Sequence, residues 1–185
     1  MMPPLPNHKH NKKNTTRLPL PDGTDGDYHC PACQRRWFSE DTVKWAVCKY
    51  FTLAGCTPYP ANQMKREGDI RVTHALNREE WIIEAKGQIP AGNEHAAFKE
   101  GMGQIVMARN LRSPHLLYAL AMPKVHPFPQ ETAQIDASDL HYLRLHWIWV
   151  IRRQAADSTV FEVQIVCPPG STCECQKRLG TFSFG

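Results

Sequence analysis

The stretch Trp81-Ile82-Ile83-Glu84-Ala85-Lys86-Gly87 places an acid and a base two residues apart in an otherwise apolar run. Strand side chains alternate between faces, so Ile82, Glu84 and Lys86 share one face, and Trp81, Ile83 and Ala85 share the other. An acid and a base on a buried strand cost desolvation unless they serve each other or a ligand. The upstream run Gly68-Asp69-Ile70-Arg71-Val72-Thr73-His74 reads as the partner strand of a hairpin. Asp69 then faces either Glu84 or Lys86, and both registers put it on their side of the sheet. Two carboxylates and one ammonium gathered this way suit a hard divalent cation, Mg²⁺ or Mn²⁺, which takes oxygen ligands and keeps several waters. Such an ion polarises a phosphodiester and lowers the pKa of a bound water. Lys86 then holds that water and stabilises charge on the phosphorane. Two neighbouring carboxylates favour its ammonium form, so it reads as a donor rather than a free base.

The elements that must position these residues follow from periodicity. Ser39 is a candidate N-cap, with Glu40 and Asp41 at the positive end of a helix. Val43, Ala46, Val47, Tyr50, Phe51 and Ala54 follow at the spacing of one buried helical face, and Gly55 ends it. Trp45 and Cys48 point away from that face and need another cover. Residues 56–61 suit a short strand, followed by the hairpin, with Asn77 in its turn as the residue placed for a positive φ. Residues 93–110 read as a helix of about four turns capped by Asn93. On that helix Ala97, Gly101, Gln104 and Ala108 form a line of mostly small residues beside Phe98, Met102, Ile105 and Val106. Residues 115–123 are almost continuously apolar and suit a strand covered on both faces. Residues 124–142 read as loop with a short helix, and two further strands follow, joined by residues 154–158. The order predicts an α/β domain with a mixed central sheet flanked by helices.

Asp69, then Glu84-Ala85-Lys86 after a hairpin, resembles the signature of the PD-(D/E)XK nuclease superfamily. The order helix, three strands, helix, strand also resembles its restriction-endonuclease-like core, over about residues 40–151. Residues 101–110 followed by 115–123 look like the helix and fourth strand of small stand-alone members, including proteins linked to excision of DNA elements. The resemblance implies that Asp69, Glu84 and the backbone carbonyl of Ala85 hold the metal, that Lys86 serves catalysis, and that Gln104 borders the site. It departs in one place: Gly68 stands where a proline commonly precedes the aspartate. The implied activity is hydrolysis of phosphodiester bonds, most naturally of DNA. The alternative is a non-catalytic DNA-binding accessory factor on the same fold, with protein partners in a mobile-element or defence system. A more distant alternative is a zinc-stabilised protein-interaction module.

Cys30-Pro31-Ala32-Cys33 supplies half of a tetrahedral zinc site. Cys173 and Cys175 are the first candidates for the other half, with Cys167, Cys48, Cys56, His29, His8 and His10 behind them. The competing reading is two free thiols in a turn. His74 and His95 are tempting extra ligands near the hairpin. Trp147 and Trp149 share a strand face and suit packing. No glycine-rich phosphate loop is present, since Gly101 and Gly103 fall within a helix. The expected organisation is a mobile basic arm over residues 1–27 with Lys9, Lys12, Lys13 and Arg17, a zinc knuckle over 28–38, the nuclease-like domain over 39–166, and a cysteine-containing tail over 167–185.

The 185 residues, 42% hydrophobic and 22% charged, suit one domain with an appendage rather than a disordered chain. A net charge of +4 tolerates nucleic acid as a partner without demanding it. No run approaches the roughly 20 apolar residues of a membrane span. The N-terminal stretch lacks the apolar core of a signal peptide, so a cytoplasmic setting is expected. In a reducing compartment the seven cysteines read as thiols or metal ligands rather than disulfides. Elemental analysis of protein purified without chelator is expected to find about one zinc per chain, and Cys30→Ser to remove it. Absence of zinc would favour the free-thiol reading.

Overall fold

In the computed structural model, the described residues are 12–60, 68–74, 79–90, 92–109, 116–154, 159–168 and 182–184. The Ser39 hydroxyl accepts a hydrogen bond from the Thr42 amide at 3.0 Å and starts helix α1 (Glu40–Leu53). Val43, Ala46, Val47, Tyr50 and Phe51 are buried along it, the expected stripe. Gly55, at a φ of 78°, turns the chain out of the helix. Phe161 covers Trp45, with ring centroids 5.4 Å apart.

Strands β4 (Cys56–Pro60), β5 (Ile70–His74) and β6 (Glu80–Ala85) then run antiparallel to one another. Helix α2 (Glu94–Ala108) crosses over to β7 (Leu116–Pro123), which lies parallel to β6. Two short helices, α3 (Phe128–Thr132) and α4 (Ala137–Leu143), lead to β8 (Leu145–Gln154), parallel to β7. Strand β9 (Thr159–Val166) returns antiparallel to β8. Strand β10 (Phe182–Phe184) pairs antiparallel with β9. The mixed sheet has seven strands in the order β10-β9-β8-β7-β6-β5-β4.

Two cores sit on its two faces. Alternation along β6 and β7 sends Trp81, Ile83, Ala85, Ala119 and Ala121 toward α1. Ile82, Leu120 and Met122 pack on the other face with Phe98 and Ile105 of α2 and with Trp147 and Trp149. With parallel neighbours on both sides and helices on both faces, β7 is buried at every position but the half-buried Leu117, which accounts for its unbroken apolar sequence.

Two expectations need correction. Residues 16–27 are not an arm. Strands β1 (Thr16–Pro19), β2 (Asp25–His29) and β3 (Arg36–Trp37) form a separate antiparallel sheet, preceded by a 3₁₀ turn at Lys12–Asn14. These strands are short and polar and carry no alternating pattern. What fixes them is tertiary: Arg17 pairs with Asp41 of α1 at 2.5 Å, and Arg152 of β8 pairs with Asp27 of β2. The Arg152 guanidinium also lies 4.0 Å from the centroid of Phe38. Residues 1–11 lie outside the described residues. Within the tail, β10 extends the sheet. Asn77, and Cys173 and Cys175 with most of the tail, lie outside the described residues. At the head of α2, Asn93 occupies the cap position but its side chain makes no capping bond.

Removing one member of a buried ion pair strands its partner. Asp27→Ala is therefore expected to destabilise the protein by about 2–3 kcal/mol in a urea titration. Asp25→Ala, at an exposed position of the same strand, should shift the midpoint far less. Equal effects would mean that the small sheet does not depend on Arg152.

Candidate active site

Pairing of Ile70 with Ile83 sets the register of the hairpin, so Asp69 falls opposite Glu84. The Asp69 amide donates to the Ile83 carbonyl at 2.9 Å, extending the ladder by one residue. Gly68 just before it has a φ of 79°, and a Cβ there would come within 3.0 Å of Ile82 Cγ2 and of the Ile83 carbonyl oxygen. Proline cannot take that φ. Glycine thus suits this position and proline is excluded from it.

The site residues converge on a cleft of about 600 Å³ lined by Glu40, Gly68, Asp69, Glu84, Lys86, Glu100, Gly103, Gln104 and Met107. Glu84 and Lys86 are nearly inaccessible, at 3% and 6% exposure, and Lys86 Nζ lies 2.9 Å from Glu84 Oε1. Lys86 also lies 3.5 Å from the exposed Glu100 of α2. The lysine stem runs beneath α2 at Gly101, where an added Cβ would come 2.7 Å from Leu120 Cδ1 and 3.1 Å from Lys86 Cγ. That glycine lets helix and lysine share one space. Helix α2 buries Ala97, Phe98, Gly101, Ile105 and Ala108, which turns Gln104 toward the cleft rim. Gly87 passes under the start of α1, where a Cβ would sit 2.4 Å from the Glu40 amide nitrogen, and so brings Glu40 to the opposite rim.

One participant was not legible in the sequence. Lys44 of α1 lies 2.7 Å from Asp69 Oδ1 and 2.7 Å from Glu40 Oε1. The other Asp69 oxygen, Oδ2, accepts the Ala85 amide at 2.9 Å. In the sequence Glu40 and Lys44 look like an ordinary solvent-facing helical pair. No local signal says that this face of α1 meets the head of β5.

The electrostatics follow from this enclosure. Burial, and then the charge of Asp69 facing it, push the Glu84 carboxyl up to about 7, with Lys86 opposing. Burial alone would weaken the Lys86 charge, but Glu84 outweighs it and holds the ammonium above its ordinary range. The same balance holds for Lys44, where burial is outweighed by Asp69 and Glu40. Four carboxylates (Glu40, Asp69, Glu84 and Glu100) and two ammonium groups (Lys44 and Lys86) leave the ionised cluster at a net charge of −2.

Among the described residues no group of three or more His, Cys, Asp or Glu side chains is placed to hold a metal ion. The two opposed carboxylates and the residual charge of −2 nevertheless fit the chemistry of Mg²⁺, which needs few protein ligands. His95 does not join the cleft, since its Nδ1 meets Glu131 at 2.5 Å. The His74 side chain lies outside the described residues. Cys30 and Cys33 flank the turn between β2 and β3, where Gln34 takes a φ of 61° and its amide donates to the Cys30 carbonyl at 2.8 Å. Neither forms a disulfide, and Cys30 is fully buried.

Comparison with family models, with curated proteins and with solved structures returns no match to this chain. No helix among the described residues is long and apolar enough to cross a membrane.

A carboxyl raised from 4.5 to about 7 binds its proton more tightly in the folded state. Between those values the native protein holds more protons than the unfolded chain, so metal-free stability falls as pH rises through this window. Thermal melts in EDTA are expected to show that fall, and Glu84→Gln to flatten it. Stabilisation by Mg²⁺ should grow as pH rises through about 7, because ion and proton compete for Glu84. A Glu84→Gln protein with an unchanged pH profile would assign the effect elsewhere.

Proposed function

We infer that this chain is a Mg²⁺-dependent nuclease with a restriction-endonuclease-like core of the PD-(D/E)XK kind, acting on DNA. The observation that carries the reading is the facing of Asp69 and Glu84 across the β5–β6 hairpin, with Lys86 in the same cleft. The succession of α1, β4, β5, β6, α2 and β7 supports it.

Asp69 and Glu84 are the residues that would hold the ion, with the Ala85 carbonyl as the third contact that the resemblance supplies. When bound, the ion lends Lewis acidity toward the phosphodiester and acidifies a coordinated water. Asp69 is oriented by the Ala85 amide and by Lys44. Lys86, kept protonated by Glu84, donates hydrogen bonds to the water and to the charge that develops on the phosphoryl oxygens. Gln104, exposed on the rim, is placed to meet the substrate.

A second reading has its own observation. Each carboxylate already holds an ammonium, Lys44 on Asp69 and Lys86 on Glu84, so the hairpin is charge-compensated without an ion. That suits a DNA-binding accessory factor in a mobile-element or defence system. Incubation with linear and circular DNA under Mg²⁺ or Mn²⁺ separates the two. The nuclease reading expects cleavage that Glu84→Ala abolishes with DNA affinity largely kept, because affinity comes mainly from phosphate contacts to Lys and Arg. Lys86→Ala is expected to slow cleavage about 10²-fold or more and spare metal binding. A wild-type protein that cleaves nothing, and that binds DNA as well after Glu84→Ala, would install the accessory reading.

A further inference from the structure

The proposed catalytic cleft carries net negative charge, and a nucleic acid strand is itself an anion. Cationic groups must therefore hold the flanking phosphates. A second cleft, of about 650 Å³, opens beside the first, between β3, the segment after β6 and the start of α2. Its walls carry the cation Arg35 with His95 and His126, and two carboxylates stand there, Glu94 in the lining and Glu131 against His95 Nδ1.

The two clefts share a floor. Gln88, in the second cleft, lies two residues beyond Lys86 in the first. Its amide donates to the Phe38 carbonyl at 2.7 Å, and its side-chain oxygen accepts the Phe38 amide at 3.2 Å. Trp37, also in the second cleft, lies three residues before Glu40. His95 lies five residues before Glu100 on α2. Two extended residues span about 7 Å and five helical residues about 7.5 Å. Nucleic acid rises about 3.4 Å per nucleotide along a strand. At these points the two linings lie about 7 Å apart along the chain, about two nucleotides of a strand.

The lining suits backbone rather than bases. The Arg35 guanidinium is exposed and lies 5.3 Å from the Trp37 ring centroid. An arginine seated over an aromatic ring keeps its edge N–H donors free for phosphate oxygens. Trp37 is 3% exposed, so its ring backs Arg35 and offers no face to a base. His95 is 55% exposed and is oriented by Glu131 through Nδ1. Contacts of this kind fix register without reading sequence.

We propose that the second cleft binds the phosphate backbone of the DNA strand about two to four nucleotides from the scissile bond, through Arg35 with His95 and His126 beside it. The position of the bond rests on the nuclease reading; the binding does not.

The test is fluorescence anisotropy of a short labelled DNA duplex with the full chain, in EDTA, over a salt series. Arg35→Glu is expected to weaken binding about tenfold or more, and Arg35→Gln to lower the salt slope by about one. Lys49→Glu, an equal charge change at an exposed α1 position outside both clefts, should change affinity less than about twofold. His126→Ala should weaken binding by a smaller factor than Arg35→Gln. Circular dichroism checks that each variant is folded, and Arg35→Gln decides the matter if Arg35→Glu is not. Wild-type-like binding by the folded Arg35 variants overturns the proposal. So does an equal loss in Lys49→Glu, which would reduce the effect to net charge, and so does a wild-type protein that binds no DNA. If wild type cleaves with Mg²⁺ while Arg35 variants bind and cleave as it does, the second cleft alone fails. If binding depends on Arg35 and no metal supports cleavage, the nuclease reading fails and the cleft stands.

Discussion

Two carboxylates facing each other at the end of an apolar hairpin repel, and little water reaches them to screen the repulsion. Asp69 and Glu84 persist in that position because Lys44 and Lys86 are brought to them. Neither lysine arrives cheaply, since each gives up solvent to lie in the cleft. The local architecture reads as the means of delivering those two cations. Ser39 caps α1 and so fixes which turn carries Lys44. Gly87 allows the head of α1 to approach the end of β6. Gly101 lets α2 lie over the Lys86 stem. A methyl group at Gly87 would meet the backbone at the start of α1, and one at Gly101 the side chains of Leu120 and Lys86.

The rest of the molecule holds this arrangement rigid. Parallel pairing of β6, β7 and β8, with a helical layer on each face, buries the strand on which Glu84 stands along almost its whole length. The small sheet of β1 to β3 is attached through side chains rather than through continuous backbone pairing. Arg152 joins the two sheets by pairing with Asp27 while stacking on Phe38, which precedes α1. The two clefts share the chain around Gln88, which follows Lys86 of the first and lines the second.

The sequence by itself determined the parts that depend on near neighbours. The buried stripe of α1, the alternation that puts Glu84 and Lys86 on one face of β6, and the unbroken apolar run of β7 are set by the helix and strand periods. Asp69 on the same face as Glu84 followed from hairpin parity, whereas Gln104 was expected beside the site from the resemblance alone. Tertiary structure decided what periodicity cannot carry. Of the two registers that parity allows, pairing in the folded sheet selects Asp69 opposite Glu84. Lys44 joins the site because α1 packs over the hairpin, and nothing local distinguishes it from a solvated helical lysine. The strands at 16–19 and 25–29 are tied to the main sheet by Arg152, which pairs with Asp27, 125 residues away. Local periodicity records which way a side chain points; the charge that side chain will meet is set by elements far away in the chain.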